Sequence, residues 1–200
     1  TVLLATGTVG LGAAGADFGA PSTGTGLAAL ALLLPMVVAG VLQVSYQYKG
    51  DVEALDLTEA VLMPVVFLAP GSGAIVIMAA AKLLSQLHLK VAGVKLAFNV
   101  AQWSFVSAIC SVLYVRLGNG RGDGRDLLLL AVAIAGGMVF NHVAVAEVIA
   151  LATSRSLFAV LRDFERVILR GWLLGSGVNL VFGTLFVALA VIAPAAAPLV

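Results

Sequence analysis

Apolar runs alternate along this chain with short segments rich in Gly, Pro, Ser, Asp and Arg, and the spacing of polar positions inside each run predicts its role. The clearest run is Lys95 to Leu117, KLAFNVAQWSFVSAICSVLYVRL, an apolar helix long enough to cross a bilayer. At 100° per residue Lys95, Asn99 and Gln102 share one face, and Ser104, Ser107 and Ser111 line a small-residue face beside it. A buried amide without a partner costs on the order of a few kcal/mol, so this face is expected to look inward at other helices or a wet cavity. A second phrase, Met138 to Ala144 (MVFNHVA), sets Asn141 in the middle of a later run. Two helices thus bring Asn into one interior, either as interhelical hydrogen-bonding groups or as part of a site.

In chain order, Val2 to Ala16 predicts a first membrane helix, or the remaining part of one, with Gly7, Gly10, Gly12 and Gly15 allowing close contact. No basic region precedes it, which fits a cleaved signal peptide poorly. ADFGAPSTGTG is a loop by composition, and a second helix is expected from about Leu27 to Leu42, with a kink at Pro35. Val44, Tyr46 and Tyr48 then alternate with Ser45, Gln47 and Lys49 before Gly50 and Asp51, and Val52 to Leu57 alternates again. This predicts an amphipathic β-hairpin over 44–57 resting on a membrane surface. With Gly50 and Asp51 as a type II′ turn, Val44, Tyr46 and Tyr48 pair with Leu57, Leu55 and Glu53. Asp56 and Glu59 have the spacing of a capping box for the next helix.

From 57 to 87 the apolar run is broken at Pro70, Gly71, Ser72 and Gly73 into two helices of roughly 20 Å each, short of a hydrocarbon core of about 30 Å. The pair is either one broken crossing or a re-entrant hairpin. Basic residues favour the hairpin: it collects Lys49, Lys82, Lys90, Lys95, Arg155, Arg162, Arg166 and Arg170 on one side, expected to be cytoplasmic, and leaves Arg116, Arg121 and Arg125 opposite. Another helix begins at Asp126 and runs to about Ala152, carrying Asn141, His142 and Glu147. Glu147 shares a face with Phe140, Gly136 and Ala144, where it either reaches the interface or serves a function. Over 155–170, Leu157, Leu161, Phe164 and Ile168 form an apolar stripe opposite Arg155, Arg162, Asp163, Arg166 and Arg170, predicting an interfacial amphipathic helix. The last clear crossing carries Gly171, Gly175, Asn179 and Gly183 four apart. The closing PAAAPLV suggests a chain that continues, so the 200 residues are expected to be one membrane domain of a longer protein.

Composition agrees with the pattern: 62% of residues are hydrophobic and 10% charged, against roughly 45–50% and 25% in soluble domains. The expected fold is therefore an all-α polytopic membrane bundle of about five full-length helices, with the broken or re-entrant pair, the small β-hairpin and the interfacial helix. Eleven Lys and Arg against ten Asp and Glu give no sign of a nucleic-acid partner. The single Cys110 and two distant histidines suggest no metal, and no phosphate loop or nucleophile–base pair suggests catalysis; no cofactor is expected. The Arg121-Gly122-Asp123 tripeptide is taken as chance within a Gly-rich loop.

The order of hairpin, LDLTEAVLMPVVFLAP, VKLAFNVAQ and the Arg-rich SRSLFAVLRDFERVILRGWLL resembles the multi-pass N-terminal membrane domains of actinobacterial signalling proteins over about residues 40 to 200. In that family the region precedes cytoplasmic cyclic di-GMP enzymes of the diguanylate cyclase or HD-GYP type. The resemblance implies a sensor domain in a bacterial inner (plasma) membrane, with a fused or associated cytoplasmic output domain and with a homodimer admissible. It aligns Asn99 and Gln102 with the family's FNxAQ phrase and Asp56 and Glu59 with its acidic helix start. No GGDEF-like or HD-like sequence is present, so no nucleotide chemistry is expected of this chain. The competing expectations are a small-molecule transport subunit, like the substrate-binding membrane component of a vitamin transporter, and a structural accessory subunit. The candidate site is Asn99, Gln102, Asn141, Glu147, Glu59 and Asn179.

Overall fold

Breaking the apolar run at Pro70 leaves an 11-residue helix too short to span a membrane alone, and the rest of the bundle closes around it. The computed structural model describes residues 25–48, 51–91, 93–167 and 169–192. In chain order these form α1 (Thr25–Val41), β1 (Gln43–Tyr48), β2 (Asp51–Asp56), α2 (Thr58–Leu68), α3 (Ser72–His88), α4 (Gly93–Leu117), α5 (Gly124–Thr153), α6 (Leu157–Val167) and α7 (Leu169–Ile192). The first helix expected at 2–16 lies outside the described residues. Among the described residues three stretches are long and apolar enough to cross a membrane: α4, α5 and Gly175–Ile192 of α7. About five were expected. Of the other two, the helix at 2–16 is not described, and α1 holds 17 residues, or about 26 Å at 1.5 Å per residue.

Directions follow from the contacts. Lys82 on α3 reaches Thr58 on α2, each about a dozen residues from the break at 70, so α3 runs back along α2. Cys110 Sγ lies 3.3 Å from the Ala133 carbonyl and Gln102 bonds the Asn141 carbonyl, so α4 and α5 are antiparallel. On α7, Asn179 meets Glu59 and Thr184 meets Met63, so α7 runs parallel to α2. One end of the bundle therefore carries the β strands, the α3–α4 turn and α6. The other carries the 69–71 break and the 118–123 loop.

Almost all of α2 is buried, with Leu62, Met63, Val65 and Val66 in the main core beside Met36, Met78, Val106, Leu130 and Ile134. Its tightest neighbour is α7. Pro64 has no N–H to bond the Ala60 carbonyl, and Gly183 of α7 faces that exposed carbonyl: a Cβ there would sit 3.1 Å from Ala60 O and 2.9 Å from Met63 Cβ. The missing hydrogen bond and the missing side chain occur at the same contact.

The two strands are antiparallel, with Val44 opposite Leu55, Tyr46 opposite Glu53 and Tyr48 opposite Asp51. This corrects the expected register by two residues. Leu57 is unavailable to the ladder because its N–H donates to the Ala39 carbonyl at the end of α1 (3.2 Å). A two-residue shift leaves the same alternate positions sharing a face. The capping box is also absent: Leu57 occupies the N-cap of α2 without a side-chain cap, and Asp56 ends β2 opposite Gln43.

At the opposite end, the α4–α5 loop folds around Asp126. Its fully buried carboxylate accepts from the backbone N–H groups of Asn119 (2.8 Å), Arg121 (2.8 Å) and Gly122 (2.9 Å). Asp123 is the N-cap of α5, accepting from the amides of Arg125 and Asp126 at 3.1 Å each. Thus the helix starts at Gly124, two residues earlier than expected.

Candidate functional site

Polar side chains are concentrated in the half of the bundle nearer the strands, where they join successive helices. Lys82 lies in the apolar run of α3 and is 3% exposed. Its ammonium donates to Thr58 Oγ1 at 2.7 Å and stands 4.6 Å from the centre of the Trp103 ring. A hydroxyl acceptor and an aromatic face are two ways of offsetting the cost of a buried cation. Next to Thr58, Glu59 accepts from Asn179 Nδ2 at 2.5 Å, tying α2 to α7. One turn beyond Lys82, Gln86 Oε1 accepts from Asn99 Nδ2 at 2.8 Å, tying α3 to α4. Gln102 Nε2 then donates to the Asn141 backbone carbonyl at 2.9 Å, tying α4 to α5.

These contacts form a belt in the order α7, α2, α3, α4, α5. Asn99, Gln102 and Asn179 contribute their side-chain amides and Asn141 its backbone carbonyl, but they do not face one another around a single point. Asn179 belongs with Glu59 on the α2 side, Asn99 with Gln86, and Gln102 with Asn141 on the α5 side. Glu147 is not in the belt: it is exposed on the outer face of α5, while Ala144 and Ala146 turn inward. His142 Nδ1 lies 2.9 Å from the Met138 carbonyl one turn back.

Lys82, Thr58, Gln86 and Trp103 are members that sequence reasoning missed. Their signal lies in the sequence, since a lysine and a glutamine four apart in IVIMAAAKLLSQLH share a helical face. The same turn of α3 also holds the roots of the strand pair. A Cβ on Gly40, at the end of α1, would lie 2.9 Å from Ser85 Oγ, and Thr58 follows β2 by two residues.

Three buried polar atoms have no hydrogen-bond partner among the described residues: Ser107 Oγ, Ser111 Oγ and Asn141 Oδ1. A serine hydroxyl on a helix can turn to the carbonyl four residues back, as Ser104 does to Val100 at 2.7 Å. The Asn141 acceptor has no such recourse, and leaving it unmet costs about 1–3 kcal/mol. Among the described residues no group of three or more His, Cys, Asp or Glu could hold a metal ion. No protein family, curated protein or solved structure matches the chain.

Proposed function

We propose that this chain is the membrane-embedded input domain of a bacterial signalling protein, in which the polar belt is the element that responds. The observation that carries this reading is the position of Lys82. Its turn of α3 bonds the first residue of α2 and packs on the last turn of α1, so a rearrangement of the belt would move both roots of the strand pair. The unmet acceptor of Asn141 is where a ligand carrying a hydrogen-bond donor would gain most. A ligand shifts such a bundle only by binding two arrangements unequally. In this reading the protein lies in the plasma membrane, α2 and α3 form a re-entrant hairpin, and the strand pair and α6 face the cytoplasm. There they would meet a fused or associated output domain, in a monomer or a homodimer, with no role for nucleic acid.

The second reading is a small-molecule transport subunit. It is favoured by α2 itself, a half-length helix buried in the bundle with Thr58 and Glu59 in its first turn, an arrangement suited to a site inside the membrane. Fusing the chain to a cyclase output domain separates the two. Thr58→Val and Asn141→Leu should change cyclase output in intact cells at unchanged expression. Unchanged output for both variants, with solute uptake by the unfused chain lost instead, refutes signalling in favour of transport.

A further inference from the structure

We infer that Asn119 is a self-modification site: in the exposed α4–α5 loop its side-chain amide is converted to a carboxylate by ring closure onto the Gly120 nitrogen, with water as the co-reactant. This inference is independent of whether the belt senses or transports. The chain has asparagine at 99, 119, 141 and 179, and only Asn119 is followed by glycine. The other three lie inside helices, where the next peptide nitrogen is held in the helical ladder and shielded by Val100, His142 or Leu180. Asn119 and Gly120 are both exposed. Gly120 adopts φ 70°, and nothing lies within 4 Å of where its Cβ would stand. The amides around it are engaged, since Asn119, Arg121 and Gly122 donate to the Asp126 carboxylate at 2.8, 2.8 and 2.9 Å. The Gly120 N–H is passed over and makes no hydrogen bond among the described residues. The amide that the cage leaves out is thus the one that can close a ring on Asn119 Cγ.

Two bonds set the side chain for that step. Oδ1 accepts from the Arg121 N–H at 2.9 Å, and Nδ2 donates to Asp123 Oδ2 at 2.8 Å, so only one placement of oxygen and nitrogen satisfies both. Donation to Oδ1 draws charge from Cγ and meets the negative charge that this oxygen gains under attack. Gly120 N bonds to Cγ and gives its proton to solvent base. The Cγ–Nδ2 bond breaks, and Nδ2 takes a proton from solvent and leaves as ammonia. Water then opens the cyclic imide at either carbonyl, giving aspartate or isoaspartate. The sum is amide plus water to acid plus ammonia, with nucleophile and carbonyl already in one residue pair. The Nδ2 bond to Asp123 opposes departure, but it lies at the exposed surface, where water competes for both partners.

Conversion undoes the cage. Two carboxylates then face each other where Nδ2 met Asp123, and isoaspartate adds one carbon to the backbone among the amides that converge on Asp126. Gly122, the last of those amides, packs closely on Val191 of α7 and Phe67 of α2. The modification is therefore a slow, one-way release of the loop from the ends of both helices.

The test incubates the full chain in detergent at mildly alkaline pH beside a synthetic peptide of residues 117–125. Mass spectrometry and labelling by an isoaspartyl methyltransferase follow both. Asn119 should become acid in the folded chain, while Asn99, Asn141 and Asn179 keep their amides. Asn119→Gln, which would need a larger ring, should stay unconverted, and Gly120→Ala should convert several-fold more slowly. An Asn119 amide that persists in the folded chain after the peptide has converted would show the side chain locked by its two bonds and overturn the proposal. Equal conversion of Asn119→Gln would overturn the ring-closure route. Asn119→Asp should speed hydrogen exchange at the Arg121 and Gly122 amides, and unchanged exchange there would overturn the release.

Discussion

Lys82 Nζ donates to Thr58 Oγ1 across 2.7 Å, joining the two helices on either side of the Pro70 break at the level where α1 and α4 also meet them. The bond closes a reversed helix pair inside the bundle, with both partners buried. Its loss should therefore be felt by the whole bundle.

Lys82 variants should rank by how much of its stem they keep. Lys82→Met retains a linear chain over Trp103 and should cost less than Lys82→Ala, which also opens a void, for a loss of about 2–3 kcal/mol. Thr58→Val keeps shape but removes an acceptor from a buried cation, and should cost about 1–3 kcal/mol. Thermal unfolding in detergent measures all three, and Ala no worse than Met would remove the stem from the account.

Adjacent glycines of α5 should respond with opposite sign. A Cβ on Gly137 would lie 2.7 Å from Val106 Cγ1 and 3.3 Å from Cys110 Sγ, so Gly137→Ala forces α4 and α5 apart and should destabilise by about 1–3 kcal/mol. Gly136 is exposed, with nothing within 4 Å of its Cβ, so Gly136→Ala should stabilise by up to about 1 kcal/mol through helix propensity. Unfolding midpoints of the pair check the direction.

In the α4–α5 loop, Gly120 and Gly122 both adopt positive φ, 70° and 66°. Gly120→Ala meets open space and should cost only the left-handed penalty, about 1–2 kcal/mol. Gly122→Ala adds a collision with Val191 Cγ2 and a 3.1 Å approach to Phe67 Cζ, and should cost clearly more. Equal losses in a stability assay would mean that the loop is free to move off α2 and α7.

Acid should loosen the start of α5. The Asn119 side-chain amide, then the backbone amides Asp123 caps and nearby Arg121, hold the Asp123 carboxyl below its ordinary range despite a small opposing effect of burial. A carboxylate with a depressed folded-state pKa adds stability above its unfolded pKa, and that stability is lost as pH falls through the folded value. Hydrogen exchange at the amides of Arg125 and Asp126 should accelerate over that acid window, and Asp123→Ala should exchange fast throughout.

Membrane sidedness is open to single cysteines, because Cys110 is buried and should stay unreactive. Lys90→Cys and Asn119→Cys occupy exposed turns at opposite ends of the bundle. They should be labelled from opposite sides of sealed vesicles; labelling from one side would rule out α4 as a crossing helix.

Sequence alone determined the helices and the inward amides. Sustained apolarity over Gly93–Leu117 and Gly124–Thr153 allows only a helix in an apolar solvent, and Asn99, Gln102, Asn141 and Asn179 need partners wherever that helix packs. Which partners they find was decided by tertiary structure. Local spacing carries no information on which residue from a distant segment arrives opposite, so Asn179 on Glu59, Asn99 on Gln86 and Lys82 on Thr58 emerge only once α3 folds back along α2 and α7 lies beside it. The outward turn of Glu147 has the same origin. Its helix offers two small faces of similar character, and only packing against α4 and α6 decided that Ala144, Ala146 and Ala150 go inside. The strand register shows the reverse dependence: alternation fixed which residues share a face, but the Leu57 bond to Ala39, between segments eighteen residues apart, fixed where the ladder ends.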